Sequence, residues 1–158
     1  MEAIIKKSEI NISNKLFSGL ENNTKKINTI KNICIEMQND FISSDLGKDV
    51  LNSDWVKSEF DFRSRIDSKI IKGTMDLVYK NKDGSFTVVD FKTNQSIKPE
   101  LYYNQLACYR QAISKMLGIE DEKTIKCSLF YLRFAKEIDI TDQCNLIDVE
   151  KAIHLLEE

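Results

Sequence analysis

The chain has 158 residues, of which 42% are hydrophobic, and this is the size and composition of one ordinary globular domain. Its 23 Lys and Arg residues against 25 Asp and Glu residues give a formal net charge of -2, which excludes a basic field over the whole protein. The N-terminus lacks the apolar stretch of an export signal, and no run of about 18 apolar residues is present, so we expect a cytoplasmic protein.

Four cysteines are spread along the chain without the Cys-x-x-Cys or Cys/His spacing of a zinc or iron-sulfur site. Free cysteines are among the most frequently buried residues, so we expect reduced thiols in the core. The four residues are Cys34, Cys108, Cys127 and Cys144.

The N-terminal part, residues 1–56, is predicted to be helical. Within it, residues 24–42 carry hydrophobic side chains at spacings of three and four, which is typical of an amphipathic helix packed on a core. A short helix is predicted next, behind a Ser44 or Asp45 cap, and Trp55 is predicted to be a core residue. The spaced hydrophobic residues are Ile27, Ile30, Cys34, Met37 and Phe41.

From residue 57 the hydrophobic period becomes two, which predicts a β-meander. The three strands are predicted at SEFDFRSRI, IIKGTMDLVYK and SFTVVDFKT. Between the second and third, NKDG is typical of a tight hairpin turn. We therefore expect residues 70–79 to pair antiparallel with residues 85–93.

After the meander, Pro99 is typical of the first turn of a helix, which we expect to run to Leu117 and to end at Gly118. Residues 127–135 are predicted to form a fourth strand, with EIDI as a small extension. A last helix is predicted behind an Asp148 cap.

This order of elements predicts an α/β fold of the α+β kind, in which a central mixed β-sheet with an antiparallel meander is flanked by helices. One domain is expected over residues 1–158, with its core in residues 57–158. Nothing in the composition marks an internal linker.

Two opposite charges, Asp90 and Lys92, interrupt the otherwise apolar third strand. Alternate residues of a strand share a face, so these two side chains are expected to stand side by side. On the second strand, Asp76 is expected to share a face with residues 70, 72, 74 and 78, and the hairpin can bring it towards Asp90. Gly73 lacks a side chain at a place where a ligand or another backbone can approach.

Two close carboxylates repel each other unless a divalent cation neutralises both. Oxygen ligands of this kind suit Mg²⁺ or Mn²⁺, and a nearby lysine can stabilise charge that builds on a phosphoryl oxygen. Asp76, Asp90 and Lys92 therefore indicate metal-assisted phosphodiester hydrolysis. The alternative is a cross-sheet salt bridge between Asp90 and Lys92, with Asp76 at a solvated edge, because D-x-K alone arises on many exposed strands.

The longer pattern GTMDLVYKNKDGSFTVVDFKTN, followed by YYNQLACYRQAI, resembles the nuclease domains of the PD-(D/E)XK superfamily. The resemblance is to the RecB-like branch at the C-terminus of AddA and RecB helicase-nucleases, in which G-x-x-D, a hairpin, D-[YF]-K-[ST] and a helix with Q-L-x-x-Y follow one another. SEFDF, with Glu59 and Phe60, resembles the opening strand of the family, and LFYLRFAKEIDI resembles its closing strand. The matching positions are Gly73, Asp76, Asp90, Phe91, Lys92, Thr93, Gln105, Leu106 and Tyr109.

The resemblance implies a restriction-endonuclease-like core and a Mg²⁺-dependent (or Mn²⁺-dependent) deoxyribonuclease, an exonuclease of DNA repair and recombination. It implies DNA as substrate and a helicase domain or partner subunit of a helicase-nuclease as partner. By resemblance, Asp76, Asp90 and the Phe91 carbonyl would bind metal. The implied catalytic set is Asp76, Asp90 and Lys92, with Gln105 and Tyr109 lining the site.

One departure from the family concerns histidine. Many relatives carry a histidine ligand on an early helix, whereas the only histidine here is His154, in the last predicted helix. One interpretation is that the chain is a domain excised from a longer helicase-nuclease, with an incomplete metal site. Two functions thus stay open: a metal-dependent nuclease, or a nuclease-like scaffold that binds DNA or a partner subunit without cutting. Strandedness, polarity and the choice between exonuclease and endonuclease are not indicated.

Overall fold

The computed structural model describes residues 24–66 and 69–145. Within these ranges no helix is long and apolar enough to cross a bilayer. The last predicted helix, with Asp148 and His154, lies outside the described residues. The helices are α1 (Thr24–Ser43), α2 (Asp45–Leu51) and α3 (Tyr103–Leu117), and the strands are β1 (Val56–Ile66), β2 (Lys69–Lys80), β3 (Phe86–Lys92), β4 (Lys126–Tyr131) and β5 (Lys136–Asp139).

The five strands form one sheet in the order β1-β2-β3-β4-β5. Only β3 and β4 are parallel, and α3 makes the crossover that a parallel pair requires. The three other pairs are antiparallel. The predicted mixed sheet with an antiparallel meander is thus confirmed, and the predicted small extension is its fifth strand, one residue earlier than EIDI. The fourth strand, predicted to run to residue 135, ends at Tyr131 because a 3-10 turn follows it.

Each face of the sheet has its own core, because neighbouring residues of β3 point to opposite sides. Val88 belongs to the core beneath α3, whereas Val89 belongs to the core beneath α2 and the end of α1. Both residues are fully buried. The sheet is therefore the middle layer, with α3 on one side and the N-terminal helices on the other.

Among the described residues, the hydrophobic stripe of α1 joins a core cluster only at its C-terminal end, through Phe41. There the Phe41 ring lies 5.0 Å from the Phe91 ring and 5.1 Å from the Phe130 ring, between centroids. Further back, Ile30 is 37% exposed. The expectation that the whole stripe packs on a core is therefore wrong, because Ile30 in the middle of the stripe is exposed.

The predicted ends of several elements are observed. Ser44, not Asp45, is the N-cap of α2, and its hydroxyl accepts the Gly47 N–H at 3.0 Å. Gly118 ends α3 with a left-handed φ of 67°. Trp55 packs against aromatic rings of β1 and β3 at the margin of the core.

The four cysteines are all free thiols. Cys127 and Cys144 are buried, as expected for core thiols, whereas Cys34 and Cys108 are only half-buried. Burial raises the pKa of the Cys108 thiol to about 11.

Candidate active site

Strands β2 and β3 separate at Asp76. They pair antiparallel, as predicted, but only residues 77–80 with residues 86–89. The next pair in this register would be Asp76 and Asp90. Instead, Oδ2 of Asp76 accepts a hydrogen bond from the backbone N–H of Phe91 at 2.8 Å. A carboxylate thus replaces a backbone carbonyl as acceptor at the point where the two strands part.

The alternation of β2 breaks at the same place. Met75 and Val78 both belong to the core beneath α3, although they are an odd number of residues apart, and Leu77 packs on the other face. Across from Asp76 on β1, Glu59 has a φ of 50°, which is uncommon for a residue other than glycine. The expectation that the even-numbered residues of β2 share one face is therefore wrong, since the alternation changes between Met75 and Val78.

Asp90 is buried beside a lysine and an amide. It is 3% exposed, its Oδ1 accepts a hydrogen bond from Gln105 Nε2 at 3.2 Å, and its Oδ2 lies 2.5 Å from Lys92 Nζ. Burial raises the pKa of Asp90, the Lys92 ammonium opposes this rise and the Asp76 carboxylate adds to it. Oδ2 accepts no well-directed hydrogen bond, so this oxygen keeps capacity for a further partner.

The Lys92 ammonium has three partners in a mostly buried setting. Besides Asp90, Nζ donates a hydrogen bond to Gln105 Oε1 at 3.3 Å and lies 3.7 Å from the centroid of the Tyr102 ring. The Tyr102 hydroxyl donates in turn to Asn94 Oδ1 at 3.1 Å. A cation over an aromatic face is attracted by the ring quadrupole, so Tyr102 helps to fix the ammonium.

Tyr102 was missed by the sequence interpretation. It ends the short 3-10 turn Pro99–Tyr102 that precedes α3. Its spacing of three residues from Gln105 is the signal that could have found it, because such a spacing brings side chains to one face of a helix.

Gln105 and Tyr109 continue the network along one face of α3, as their spacing of four predicts. Nε2 of Gln105 donates to the Tyr109 hydroxyl at 2.7 Å, and this hydroxyl donates to the carbonyl of Thr74 at 3.1 Å. The orientation of the Gln105 amide is determined by its partners, since only Oε1 can accept from an ammonium. Burial raises the pKa of Tyr109, against the effect of the Gln105 hydrogen bond.

The space beside Gly73 is filled by an aromatic ring. Phe62 lies opposite Gly73 in the β1–β2 ladder, and a Cβ atom on Gly73 would lie 2.8 Å from Cε1 of Phe62. The Phe62 ring also contacts the Tyr109 ring, with centroids 5.3 Å apart. The interpretation that Gly73 admits a ligand is thus corrected: its missing side chain makes room for the ring that supports Tyr109.

The donor set fits a hard divalent cation. Asp76 and Asp90 offer carboxylate oxygens, and Oδ2 of Asp90 has unused acceptor capacity. Residues 24–66 and 69–145 hold no group of three His, Cys, Asp or Glu side chains that could bind a metal. Mg²⁺ commonly binds through one or two carboxylates and keeps several waters, so two carboxylates are sufficient for it. The Phe91 carbonyl as a further ligand stays a prediction.

Comparison with known proteins identifies one family. A sequence model of the PD-(D/E)XK nuclease superfamily matches residues 33–153, which is more than half of the chain. The match includes every residue of the network around Asp90 and Lys92. No curated protein matches the chain.

Proposed function

Because the chain belongs to the PD-(D/E)XK nuclease superfamily, we propose that it hydrolyses the phosphodiester bonds of DNA with Mg²⁺ or Mn²⁺ as cofactor. Asp76, Asp90 and Lys92 carry the proposal, since they converge where β2 and β3 separate. A set of two acids and one lysine, of which Asp90 is buried and the other two are half-buried, combines metal ligands with a cation for phosphoryl charge. This is the chemistry that the hydrolysis needs.

Asp76 and Asp90 would hold the cation, with the Phe91 carbonyl as a further ligand. When bound, the metal would activate water and neutralise charge on the phosphate. Burial favours the protonated form of Asp90, and a neighbouring divalent cation favours the ionised form. The ionised state of this carboxylate is therefore expected to depend on metal.

Lys92 is the residue that we propose to stabilise negative charge on the phosphoryl oxygens. Its ammonium is held by Asp90 on one side and by Gln105 on another. Gln105 contacts both charged groups, and its own amide is bound to Tyr109, so Gln105 and Tyr109 act as positioning residues. Such second contacts hold a catalytic group in one geometry before substrate binds.

We base a finer proposal on the order of motifs along the chain. G-x-x-D lies on β2, D-F-K-T begins on β3 and Q-L-x-x-Y lies on α3. This order supports a RecB-like nuclease of one domain over residues 1–158, acting as an exonuclease in DNA repair and recombination. Its partner would be the helicase domain or a partner subunit of an ATP-dependent helicase-nuclease, and its location the cytoplasm.

A cleavage assay on the full chain tests the proposal. End-labelled linear DNA and closed circular DNA would be incubated with Mg²⁺, with Mn²⁺ and with EDTA. We expect metal-dependent degradation of linear DNA by the wild type, no cleavage by Lys92→Ala and full cleavage by Lys123→Ala, whose lysine is exposed and remote from the site. Full cleavage by a folded Lys92→Ala protein would contradict the assigned role, and cleavage of circular DNA would indicate an endonuclease.

A second candidate is a nuclease-like scaffold that binds DNA or a partner without cutting. The 2.5 Å ion pair between Lys92 and Asp90 favours it, because the two charges already neutralise each other. In that case Lys92→Ala would leave a buried carboxylate without its counter-charge and would mainly lower stability. DNA binding without cleavage by the wild type, together with a large loss of stability in Lys92→Ala, would support the scaffold.

A further inference from the structure

Strands β1 and β2 extend beyond the rest of the sheet. They pair with each other from Val56 to Ile66, whereas β2 pairs with β3 only over residues 77–80. Residues 60–66 and 69–75 therefore form a two-stranded arm, here called the ribbon. The ribbon joins the sheet at Asp76.

One face of the ribbon packs on α3. The Phe62 ring contacts Tyr109, and the Ser64 hydroxyl donates to Gln111 Oε1 at 3.4 Å. Met75 is fully buried on this side. The packing against α3 anchors the ribbon and fixes which residues point the other way.

In residues 24–66 and 69–145, no helix packs on the opposite face, here called the outer face. All six of its residues are exposed, and Ile70 among them is 47% exposed. α1 and α2 lie on the same side of the sheet as the outer face, but they cover the part beyond Asp76, around Leu77 and Val89. The residues of the outer face are Asp61, Arg63, Arg65, Ile70, Lys72 and Thr74.

The charges of the outer face oppose the stability of the ribbon. Arg63 lies directly opposite Lys72, and Arg65 is two residues further along β1. Like charges directly opposite each other destabilise a strand pair. None of these three side chains has an ion-pair partner in the part of the chain that the structure describes, and the one acid, Asp61, accepts a hydrogen bond from Thr74 at 2.6 Å. The packing of the ribbon does not explain why three cationic side chains stand together on this face. Binding of an anionic ligand would explain it.

The ribbon that carries the outer face leads along β2 to the proposed active site, which lies on the α3 side of the sheet. Lys72 precedes Asp76 by four residues on β2, which is about 13 Å at about 3.3 Å per strand residue. One strand of DNA advances about 3.4 Å per nucleotide, so this distance corresponds to about four nucleotides. We propose that the outer face binds the phosphate backbone of the DNA substrate beside the point where β2 and β3 separate. This inference rests on the proposed function, because that function supplies DNA as the ligand.

DNA binding by charge-neutralised variants tests the inference. The test variant is R63Q/R65Q/K72Q, and the matched control is K82Q/K123Q/K126Q, which removes three exposed lysines at the other end of the sheet. Binding of a labelled single strand would be followed by fluorescence anisotropy in EDTA, so that no cleavage occurs. We expect at least a tenfold loss of affinity at low salt for the test variant alone. The slope of log K against log salt should fall by about 0.7 for each phosphate contact removed.

Equal affinity and equal salt slopes for the two triple variants would overturn the inference. An equal loss of polyglutamate binding and of DNA binding in the test variant would also overturn it, since the face would then be a general polyanion site. Misfolding is excluded by thermal melts, in which removal of facing like charges should leave stability unchanged or raise it. The binding assay needs no catalysis, so a wild type that binds DNA through the outer face but never cleaves it would refute the proposed function alone.

Discussion

The carboxylate of Asp76 and the backbone N–H of Phe91 are joined by a 2.8 Å hydrogen bond at the end of the β2–β3 ladder. The Asp76 carboxylate therefore has two roles. It takes the place of a backbone acceptor in the sheet, and its charge adds to the rise of the Asp90 pKa. Structural and chemical roles can be separated here by substitution, since asparagine keeps an acceptor oxygen but lacks the charge.

Asp76→Asn and Asp76→Ala should both lose cleavage, but only the second should lose much stability. Asparagine can still accept the Phe91 N–H, whereas alanine leaves this partly buried donor unpaired, at a cost of about 1–2 kcal/mol. Urea unfolding without metal gives the difference in the free energy of unfolding, and the linear-DNA assay gives the activity. Equal destabilisation by the two substitutions, or cleavage by Asp76→Ala, would contradict this assignment.

Asp90→Asn should abolish cleavage and gain stability relative to the wild type as the pH rises. Burial raises the pKa of Asp90 above its ordinary value of 3.8, so the folded state binds the proton more tightly than the unfolded chain. The stability from this group is therefore fully present below pH 3.8 and is lost as the pH rises through the folded pKa. The side chain of asparagine does not ionise, so the Asp90→Asn variant does not lose stability in this way.

Thermal melts of both proteins in EDTA, from acidic to neutral pH, check this prediction. The melting temperature of Asp90→Asn minus that of the wild type should increase as the pH rises above 3.8 and level off once the folded carboxyl is ionised. A control variant, Asp61→Asn, removes an exposed acid of β1 that lies outside the site. A difference that is constant over the pH range would show that burial does not govern the ionisation of Asp90.

Mn²⁺ should bind the wild type weakly, because Asp76 and Asp90 provide only two carboxylate ligands and waters would complete the coordination. Calorimetric titration should give measurable heat for the wild type, little for Asp90→Ala and a nearly unchanged isotherm for Lys92→Ala. Asp83→Asn, in the exposed hairpin turn, is the matched control and should bind like the wild type. Equal binding by the wild type and Asp90→Ala would refute the metal site.

Tyr102→Leu should lower kcat and leave KM for DNA nearly unchanged, because it removes the aromatic face that holds the Lys92 ammonium. A partly desolvated cation–π contact is worth about 1–2 kcal/mol, which corresponds to a fall of about 5- to 30-fold in kcat. Tyr102→Phe keeps the face and should retain most of the activity.

An NMR measurement distinguishes a displaced Lys92 ammonium from a general loss of structure in these variants. The methylene protons of Lys92 next to the ammonium should show a ring-current shift in the wild type and in Tyr102→Phe, and lose it in Tyr102→Leu. A loss of activity in Tyr102→Phe as large as that in Tyr102→Leu would instead assign the effect to the hydroxyl bond with Asn94.

Local periodicity was enough to predict which of these side chains share a face, although Gln105 and Tyr109 were assigned to the site by the family resemblance. Residues two apart on β3 share a face, so the sequence placed Asp90 and Lys92 side by side, and they form an ion pair. Residues four apart on α3 share a face, and Gln105 and Tyr109 are hydrogen-bonded. Such relations depend only on the geometry of one element, and hydrophobic spacing is sufficient to identify that element.

Relations between elements were decided by the tertiary structure. The alternation of β2 breaks at Asp76, across from the positive φ of Glu59 on β1. No pattern of residue types signals this distortion, because strain is held in place by the surrounding packing. The contact of Lys92 with Tyr102 depends on where the 3-10 turn before α3 meets β3. Charges facing each other across the ribbon depend on the register of β1 against β2, and sequence determines register only through the complete packed sheet.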